Sequence, residues 1–290
     1  MLSIITSDDP RAAAYDPPEP VPCEFCGKPR YTKGFVLKDR ISWIPTGPEP
    51  CTCKEAQEVQ AAKAKAKAEA EAAEEAKRRA DLKRARIAKI IGSSGLGKRF
   101  LNRRFDNFEV SEGTAAGFNT AQGYADNFAL LQKDPTSQEK NGLMFTGLKG
   151  TGKTHLAAAI ANRLMAEGVP VIFATMIDLL DKIKESFDRS STTSEDAVLN
   201  LYKTADLLII DDIGKEQPTE WALAKMYQII NARYEDYKPI IITSNYSPEE
   251  LTERMTPRGG DRKTAEATID RILEMTYIVP LAGESWRTKK

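Results

Sequence analysis

The sequence predicts an α/β fold in which helices cover both faces of a parallel sheet. Short, continuous apolar runs recur between residues 143 and 279, as expected for strands that are buried on both faces. Helix-forming segments alternate with these runs. A glycine-rich loop joins the first run to the first of these helices, and its sequence is Gly147-Leu148-Lys149-Gly150-Thr151-Gly152-Lys153-Thr154.

This loop fits the phosphate-binding pattern G-x-x-x-x-G-K-[ST] and lies between a strand and a helix, the context that the pattern requires. Its glycines allow backbone N–H groups to face a polyphosphate, and the helix N-terminus adds positive charge. We expect Lys153 to reach the β- and γ-phosphates of ATP and Thr154 to bind Mg²⁺. The predicted nucleotide contacts in the loop are Gly147, Gly150, Thr151, Gly152, Lys153, Thr154 and His155. A packed or solvent-facing role fits His155 better than catalysis.

Polar groups follow two later apolar runs. Asp211 and Asp212 end the run that begins at Leu207, and Asn245 follows the run that begins at Ile240. In parallel sheets, ligands bind outside the carboxyl ends of the strands. We expect Asp211 to hold Mg²⁺ through its water shell and Asp212 to accept a proton from the attacking water. Asn245 would orient that water, or it simply begins a turn.

The stretches Gly-Thr-Gly-Lys-Thr-His-Leu, Ile-Asp-Asp-Ile-Gly and Thr-Ser-Asn resemble the AAA+ ATPases of the DnaC/DnaI-type replicative helicase loaders. The related IstB-type transposition ATPases share this signature. The resemblance spans roughly residues 99–288 and implies a P-loop core with strand order 5-1-4-3-2 and no C-terminal lid. It also implies that Phe105-Asp106-Asn107-Phe108 borders the adenine pocket.

The resemblance further implies two arginines that act on the nucleotide. Arg271 matches the arginine finger, which would complete the site of a neighbouring subunit, and Arg287 matches a second sensor arginine acting in its own site. A guanidinium is permanently charged and binds phosphate oxygens through two N–H groups. Arg258 and Arg262 are rivals for the finger. The alternative for each arginine is a surface ion pair.

All four cysteines lie early in the chain, as Cys23 and Cys26 and as Cys51 and Cys53. Two close pairs of thiolates fit a tetrahedral Zn²⁺ site, whose metal would supply folding energy to so small a module. Two disulfides or free thiols are the alternatives. Residues 31–44 between the pairs favour a short hairpin. The module resembles the N-terminal zinc domain of DnaI-type loaders, which implies helicase binding.

The segments around this module are simpler in composition. Residues 1–22 carry five prolines and are expected to be a disordered lead-in. Residues 54–91 contain no Pro or Gly and favour one long helix, interpreted as a solvated spacer or as a partner-docking helix. Residues 77–104 carry eleven basic residues against one acid, which indicates either a solvated face or contact with nucleic acid.

Composition limits the remaining possibilities. The chain carries 42 basic and 42 acidic side chains, so its net charge is zero and by itself says nothing about nucleic acid. No apolar stretch reaches the roughly 18 residues that a membrane span requires, so no membrane partner is expected. The first residues lack the basic and apolar regions of a signal peptide. We therefore expect a cytoplasmic protein.

Together these patterns predict four regions: a disordered lead-in (1–22), a zinc-binding module (23–53), a charged helical linker (54–95) and an AAA+ ATPase domain (96–290). The expected function is that of an ATP-dependent helicase loader, a slow ATPase switch that self-associates through its nucleotide site. Its partners would be a hexameric replicative DNA helicase and single-stranded DNA, and its cofactors ATP, Mg²⁺ and Zn²⁺. The alternatives are an IstB-type transposition ATPase on duplex DNA and a nucleotide-gated adaptor with negligible hydrolysis.

Overall fold

The computed structural model describes residues 3–37, 40–91, 95–137, 139–187, 193–215 and 219–286. The chain divides into two compact units, Met1–Lys77 and Arg78–Lys290. Each unit has its own sheets, so each is described by itself.

The N-terminal unit contains two small antiparallel sheets. The larger sheet has the order β1-β4-β5 and the smaller pairs β2 with β3. A 3₁₀ helix, Pro10–Tyr15, follows the first strand. The strands are β1 (Ser3–Thr6), β2 (Val21–Pro22), β3 (Pro29–Arg30), β4 (Lys33–Leu37) and β5 (Arg40–Trp43). The antiparallel pair β4 and β5 forms the hairpin that was expected within residues 31–44.

The predicted disordered lead-in is replaced by ordered elements in this structure. Ile4 pairs with Phe35 across β1 and β4, and Ile5 is buried on the other face of the sheet. The prolines that motivated the prediction begin only after β1. Pro10 occupies the first turn of the 3₁₀ helix, where a missing N–H costs nothing, and the Asp9 carboxylate caps that turn. Pro10 therefore begins the 3₁₀ helix and does not prevent ordered structure in this region.

A single helix, α1 (Lys54–Ile91), has the bounds that its composition predicted. Its middle is exposed, as expected for a spacer. Its last turns, which belong to the second unit, are anchored: Ile87 is buried in the core and the Lys83 ammonium lies 2.7 Å from the Asp206 carboxylate. The spacer interpretation therefore fails for this end of the helix. The sequence also predicts a hinge at Gly92-Ser93-Ser94-Gly95, of which residues 92–94 lie outside the described residues.

The second unit is built on a five-stranded parallel sheet. Its strands are β6 (Gly142–Thr146), β7 (Val171–Thr175), β8 (Leu207–Ile213), β9 (Ile240–Ser244) and β10 (Thr276–Pro280). Their order is β10-β6-β9-β8-β7, which is 5-1-4-3-2 when these strands are numbered from one. The predicted order is confirmed.

Helices cover both faces of this sheet, and successive strand residues alternate between two cores. Leu143 and Phe145 pack with α2 and α3, whereas Met144 faces the helices of the opposite side. The helices of this unit are α2 (Glu112–Lys133), α3 (Lys153–Ala166), α4 (Met176–Glu185), α5 (Glu195–Thr204), α6 (Glu220–Glu235), α7 (Pro248–Met255) and α8 (Arg262–Met275). Among the described helices, none has the length and apolar character to cross a membrane.

A buried arginine connects segments at the amino edge of the sheet, the edge at which the parallel strands begin. Arg233 on α6 is fully buried and donates to the carbonyl oxygens of Tyr202 (2.7 Å), Ala205 (3.1 Å) and Pro239. Tyr202 lies in the last turn of α5, where carbonyls lack partners within the helix. Burial lowers the pKa of Arg233 to about 9. The guanidinium thus ties the end of α5 to the start of β9.

We predict that Arg233→Met lowers the free energy of unfolding by about 3 kcal/mol or more, because several buried carbonyls lose a charged donor at once. Urea denaturation of the full chain measures the loss. The exposed Arg262, which pairs only with Glu266 in the described part of the chain, provides the control Arg262→Met, expected to cost under about 1 kcal/mol. Equal stabilities of the two variants would contradict the structural role of Arg233.

Candidate nucleotide site

The glycine-rich loop connects β6 to α3, and neighbouring segments press closely against it. Gly147 has φ 137° and Gly152 has φ 99°, conformations that side chains disfavour. A Cβ at Gly147 would overlap the Leu281 carbonyl, and one at Gly152 would overlap the Phe108 ring. Both positions therefore require glycine for conformation and for space.

The loop lysine lies at the centre of this cradle. Lys153 is 6% exposed, and its ammonium donates to the carbonyls of Gly147 (2.8 Å) and Leu148 (2.7 Å). Thr151 is buried and also donates to Leu148. The ammonium is thus held inside the loop, where it can contact a bound phosphate. Gly150 and Thr154 complete the predicted set in the same loop.

The two residues expected to bind Mg²⁺ come together. Asp211, at the end of β8, hydrogen-bonds to the side chains of Thr154 and Thr243. Burial raises the pKa of Asp211, and these two hydrogen bonds oppose that rise. A hydroxyl and a carboxylate oxygen are ligands that Mg²⁺ favours. The pair fits a Mg²⁺ ion bound beside a nucleotide.

Asp212 and Asn245 are also neighbours. Asp212 has φ 61°, and its carboxylate accepts from the Asn245 side chain at 3.1 Å and forms an ion pair with Lys215. The register between β8 and β9 shifts between Ile210 and Ile213, which accommodates this conformation. Non-glycine residues with positive φ are concentrated at functional sites. The predicted base and the predicted water-orienting amide therefore form one polar pair.

Sequence reasoning missed Thr243. Its hydroxyl donates to the Asp211 carboxylate at 2.6 Å and accepts from the Asp212 amide at 2.8 Å, and its side chain is 1% exposed. The available signal was a polar residue inside the apolar run of β9. That signal has little weight alone, because threonine is common in strands.

His155 joins α3 to the segment that precedes α2. Its Nε2 lies 3.0 Å from the Arg104 carbonyl and 3.0 Å from the Asn107 side chain, and its ring packs edge-on against Phe108. Burial lowers the pKa of His155. The histidine contacts protein atoms, and the segment with Phe105 and Phe108 lies beside the phosphate loop, as the adenine-pocket interpretation requires.

The C-terminal segment also contacts the loop. Leu281 N donates to the Thr146 carbonyl at 2.8 Å, and Trp286 N donates to the Gly150 carbonyl at 3.2 Å. Arg287, the predicted second sensor, lies outside the described residues. Its neighbour Trp286 contacts the phosphate loop through that hydrogen bond.

Arg271 lies far from this cluster in the fold. It is on α8, whose last residue directly precedes β10, so it lies toward the amino edge of the sheet. Its guanidinium donates to Asn231 at 2.7 Å and packs over Tyr227. The structure therefore separates Arg271 from Lys153 and from the two acids within one copy.

The sequence also predicts a flexible basic loop at residues 254–263, but the structure differs. Arg254 lies in α7 and stacks on Tyr246 at 3.9 Å, and Arg262 begins α8 and pairs with Glu266. Arg258 lies between the two helices and is exposed. Capping of α8 by Asp261 explains why the helix begins so early.

The four cysteines form a compact cluster in the N-terminal unit. Their sulfur atoms all lie within 4.8 Å of one another, with Cys23 and Cys53 at 3.8 Å and Cys26 and Cys51 at 3.4 Å. A tetrahedral Zn²⁺ with four thiolates places its sulfurs about 3.8 Å apart, whereas a disulfide needs about 2.05 Å. The cluster fits zinc and does not form the alternative disulfides.

Comparison with known proteins agrees with this geometry. The model of the IstB-like ATP binding protein family matches residues 129–290, more than half of the chain. The chain belongs to this family. It is also 32% identical over 178 residues to the replicative helicase loader DnaC of Escherichia coli K12, covering 61% of this chain and 69% of that protein. The phage-like element PBSX protein XkdC of Bacillus subtilis 168 is 30% identical over 209 residues, covering 69% of this chain and 73% of XkdC.

Solved structures support the fold of this IstB-like chain. A crystal structure of the DnaC helicase loader superposes with a TM-score of 0.53 at 26% identity, covering 64% of this chain and all of that one. A crystal structure of DnaI gives a TM-score of 0.52 at 23% identity, covering 66% of this chain and 93% of that one. The resemblance to DnaC/DnaI-type AAA+ proteins is confirmed, and ATP binding follows from the family.

We predict that Thr243→Val raises the Mg²⁺ concentration needed for half-maximal ATP turnover by about tenfold, as removal of an outer-shell partner typically does. The change keeps the side-chain shape but removes the hydroxyl that holds Asp211. Turnover measured against Mg²⁺ concentration reports the shift. Thr252→Val is the matched control, since this buried threonine bonds only within α7 among the described residues. An unchanged Mg²⁺ dependence in Thr243→Val would refute the role.

Proposed function

We propose that this chain is an ATP-dependent loader of a replicative DNA helicase. The observation that carries the proposal is the joining of a complete phosphate loop with Asp211, Asp212 and Asn245 in a chain similar to DnaC. Bound ATP and Mg²⁺ would hold the loader in an assembled state, and slow hydrolysis would end that state. These activities place the protein in the cytoplasm.

Each polar group has a proposed role in hydrolysis. Lys153 would contact the β- and γ-phosphates of bound ATP, and Thr154 and Asp211 would hold Mg²⁺. Asp212 accepts the proton of the attacking water, which Asn245 orients. When bound, Mg²⁺ would neutralise charge that develops on the phosphate oxygens.

The position of Arg271 supports action between subunits. Because Arg271 lies at the amino edge and Lys153 at the carboxyl edge, the arginine finger can reach only the nucleotide of another copy. Arg262 is occupied by Glu266, which makes it a weaker rival. Arg287 would act within its own copy, since Trp286 contacts the phosphate loop. These placements support self-association through the nucleotide site.

An aromatic pair with one exposed ring supports single-stranded DNA as a ligand. Phe187 is 51% exposed and packs edge-on against the half-buried Trp221 at 5.9 Å, and the Lys184 ammonium lies 5.6 Å from the Trp221 ring. Trp221 lies in the first turn of α6, the helix that follows β8. An exposed ring beside a cation suits base stacking and phosphate contact.

The N-terminal unit is the proposed helicase-binding module. The outer face of its larger sheet exposes Ile4 (58%), Phe35 (37%) and Leu37 (37%). Exposed apolar patches on small domains mark protein-binding surfaces. The Cys₄ cluster would stabilise this sheet when it binds zinc.

One alternative is a transposition helper of the IstB type that binds duplex DNA, and the matching family is named for IstB-like ATP binding proteins. The aromatic pair argues against it, because stacking needs unpaired bases. A nucleotide-gated adaptor is less well supported, since the paired Asp212 and Asn245 suit hydrolysis.

The proposed function predicts that the full chain loads the host's hexameric helicase onto circular single-stranded DNA coated with single-strand-binding protein. Unwinding of an annealed oligonucleotide should rise about tenfold or more when chain and ATP are both present. Lys153→Ala should remove most of this gain, since the phosphates lose their principal cation. An absence of both helicase binding and stimulation would exclude the loader function. Tighter binding to duplex than to single-stranded DNA would favour the transposition alternative.

We further predict that the double variant Phe187→Ala/Trp221→Ala weakens oligo(dT) binding by about tenfold or more, because each stacked base contributes about 1–3 kcal/mol. Fluorescence anisotropy with labelled oligo(dT) measures the change. Tyr277→Ala removes an exposed ring at the opposite edge and should bind normally. If the double variant binds oligo(dT) as tightly as the wild type does, this aromatic pair is not the site that binds DNA.

A further inference from the structure

A groove of about 860 Å³ lies at the amino edge of the parallel sheet. It opens where β6, β9 and β10 begin, opposite the nucleotide site. Four carboxylates line this acidic groove, and none of them pairs with a cation among the described residues: Glu139, Glu235, Asp270 and Glu274. Lys140, which also lines the groove, directs its ammonium to the Leu273 carbonyl.

A buried acceptor in the same groove indicates a ligand that donates hydrogen bonds. Asn141 lines the groove, is 6% exposed, and donates its side-chain N–H to the Tyr237 carbonyl at 2.7 Å. Its Oδ1 is buried and has no hydrogen-bond partner within the described part of the chain. Buried polar atoms normally have a hydrogen-bond partner, so we expect a bound ligand to donate a hydrogen bond to this oxygen.

Two aromatic rings also line the acidic groove. Tyr234 is 38% exposed and Tyr237 is 49% exposed, and both line the groove. Carboxylates that accept and rings that stack are the two partners of a guanidinium, whose planar donors favour both contacts. The acidic groove therefore suits arginine side chains of another polypeptide segment.

This chain itself provides such a segment beside its nucleotide site. Lys98, Arg99 and Arg104 are exposed within residues 98–104, here named the basic segment. The segment is fixed on α3, because the Asn162 side chain donates to the carbonyls of Phe100 (2.9 Å) and Arg103 (2.8 Å). The Arg104 end of this segment lies beside the phosphate loop, because the Arg104 carbonyl is 3.0 Å from Nε2 of His155 at the start of α3.

We propose that the acidic groove of one copy receives the basic segment of a neighbouring copy. The proposal rests on the proposed self-association, in which Arg271 reaches the neighbour's nucleotide. Arg271 adjoins Asp270 on α8 and lies one turn from Glu274, so its approach to that nucleotide brings the groove toward the basic segment that borders the same site. Opposite charges then guide and fix this head-to-tail contact.

Charge reversal on each side tests the contact. The variant Asp270→Lys/Glu274→Lys and the variant Arg99→Glu/Arg104→Glu should each weaken self-association by about tenfold. Their equimolar mixture should recover it, because both possible contacts between unlike copies pair opposite charges. Sedimentation velocity of the full chains with Mg²⁺ and a non-hydrolysable ATP analogue gives the association constants. Binding of a fluorescent ATP analogue confirms that each variant is folded.

Glu253→Lys and Lys133→Glu are matched controls, since both residues are exposed and neither lines the groove. Both should associate as the wild type does. A mixture no better than either reversed variant alone, or reversed variants that associate normally, would overturn the proposal. Arg271→Ala separates this result from failure of the proposed function. Suppose that Arg271→Ala abolishes concentration-dependent ATP turnover while the mixture of reversed variants shows no recovery. Self-association through the nucleotide site would then be supported, and the proposed contact between groove and basic segment would be rejected.

Discussion

One hydroxyl joins the parts of the candidate nucleotide site. Thr243 on β9 holds the Asp211 carboxylate and the Asp212 amide of β8, so two adjacent strands end in a fixed relation. Asp212 adopts φ 61°, a conformation that costs about 1–2 kcal/mol for a non-glycine residue. The Thr243 hydrogen bond offsets part of this cost. With this backbone conformation, the Asp211 carboxylate faces Thr154 and the Asp212 carboxylate faces Asn245.

The polar clusters around Arg233 and around Asp212 lie at opposite edges of the sheet and differ in burial. At the amino edge, Arg233 gathers several carbonyls into a closed and fully buried cluster. At the carboxyl edge, Asp212 and Asn245 are only half-buried and keep part of their polar surface open to a ligand. Strain at a site persists only where the surroundings hold it firmly. For Asp212 the hydrogen bond from its amide to the Thr243 hydroxyl and the register shift between β8 and β9 are those surroundings.

Most of the fold could be predicted from the sequence, because its strongest signals are local. The phosphate loop, the continuous apolar strands and α1 each follow from neighbouring residues, and the family resemblance added the strand order. Thr243 and Arg233 could not be assigned this way. Their roles depend on partners about thirty residues away, such as Asp211 and Tyr202. The first strand was missed for another reason, since prolines outweighed the single buried side chain of Ile5.

The separation of Arg271 from Lys153 limits the kind of assembly that the chain can form. If Arg271 serves the nucleotide of a neighbour, the amino edge of one copy meets the carboxyl edge of the next. Such a contact uses two different surfaces, so it is heterologous and cannot close as a two-fold dimer. It continues from copy to copy as a ring or an open helix. In an open helix each added copy completes one nucleotide site and one terminal site stays without its arginine, whereas a closed ring completes every site.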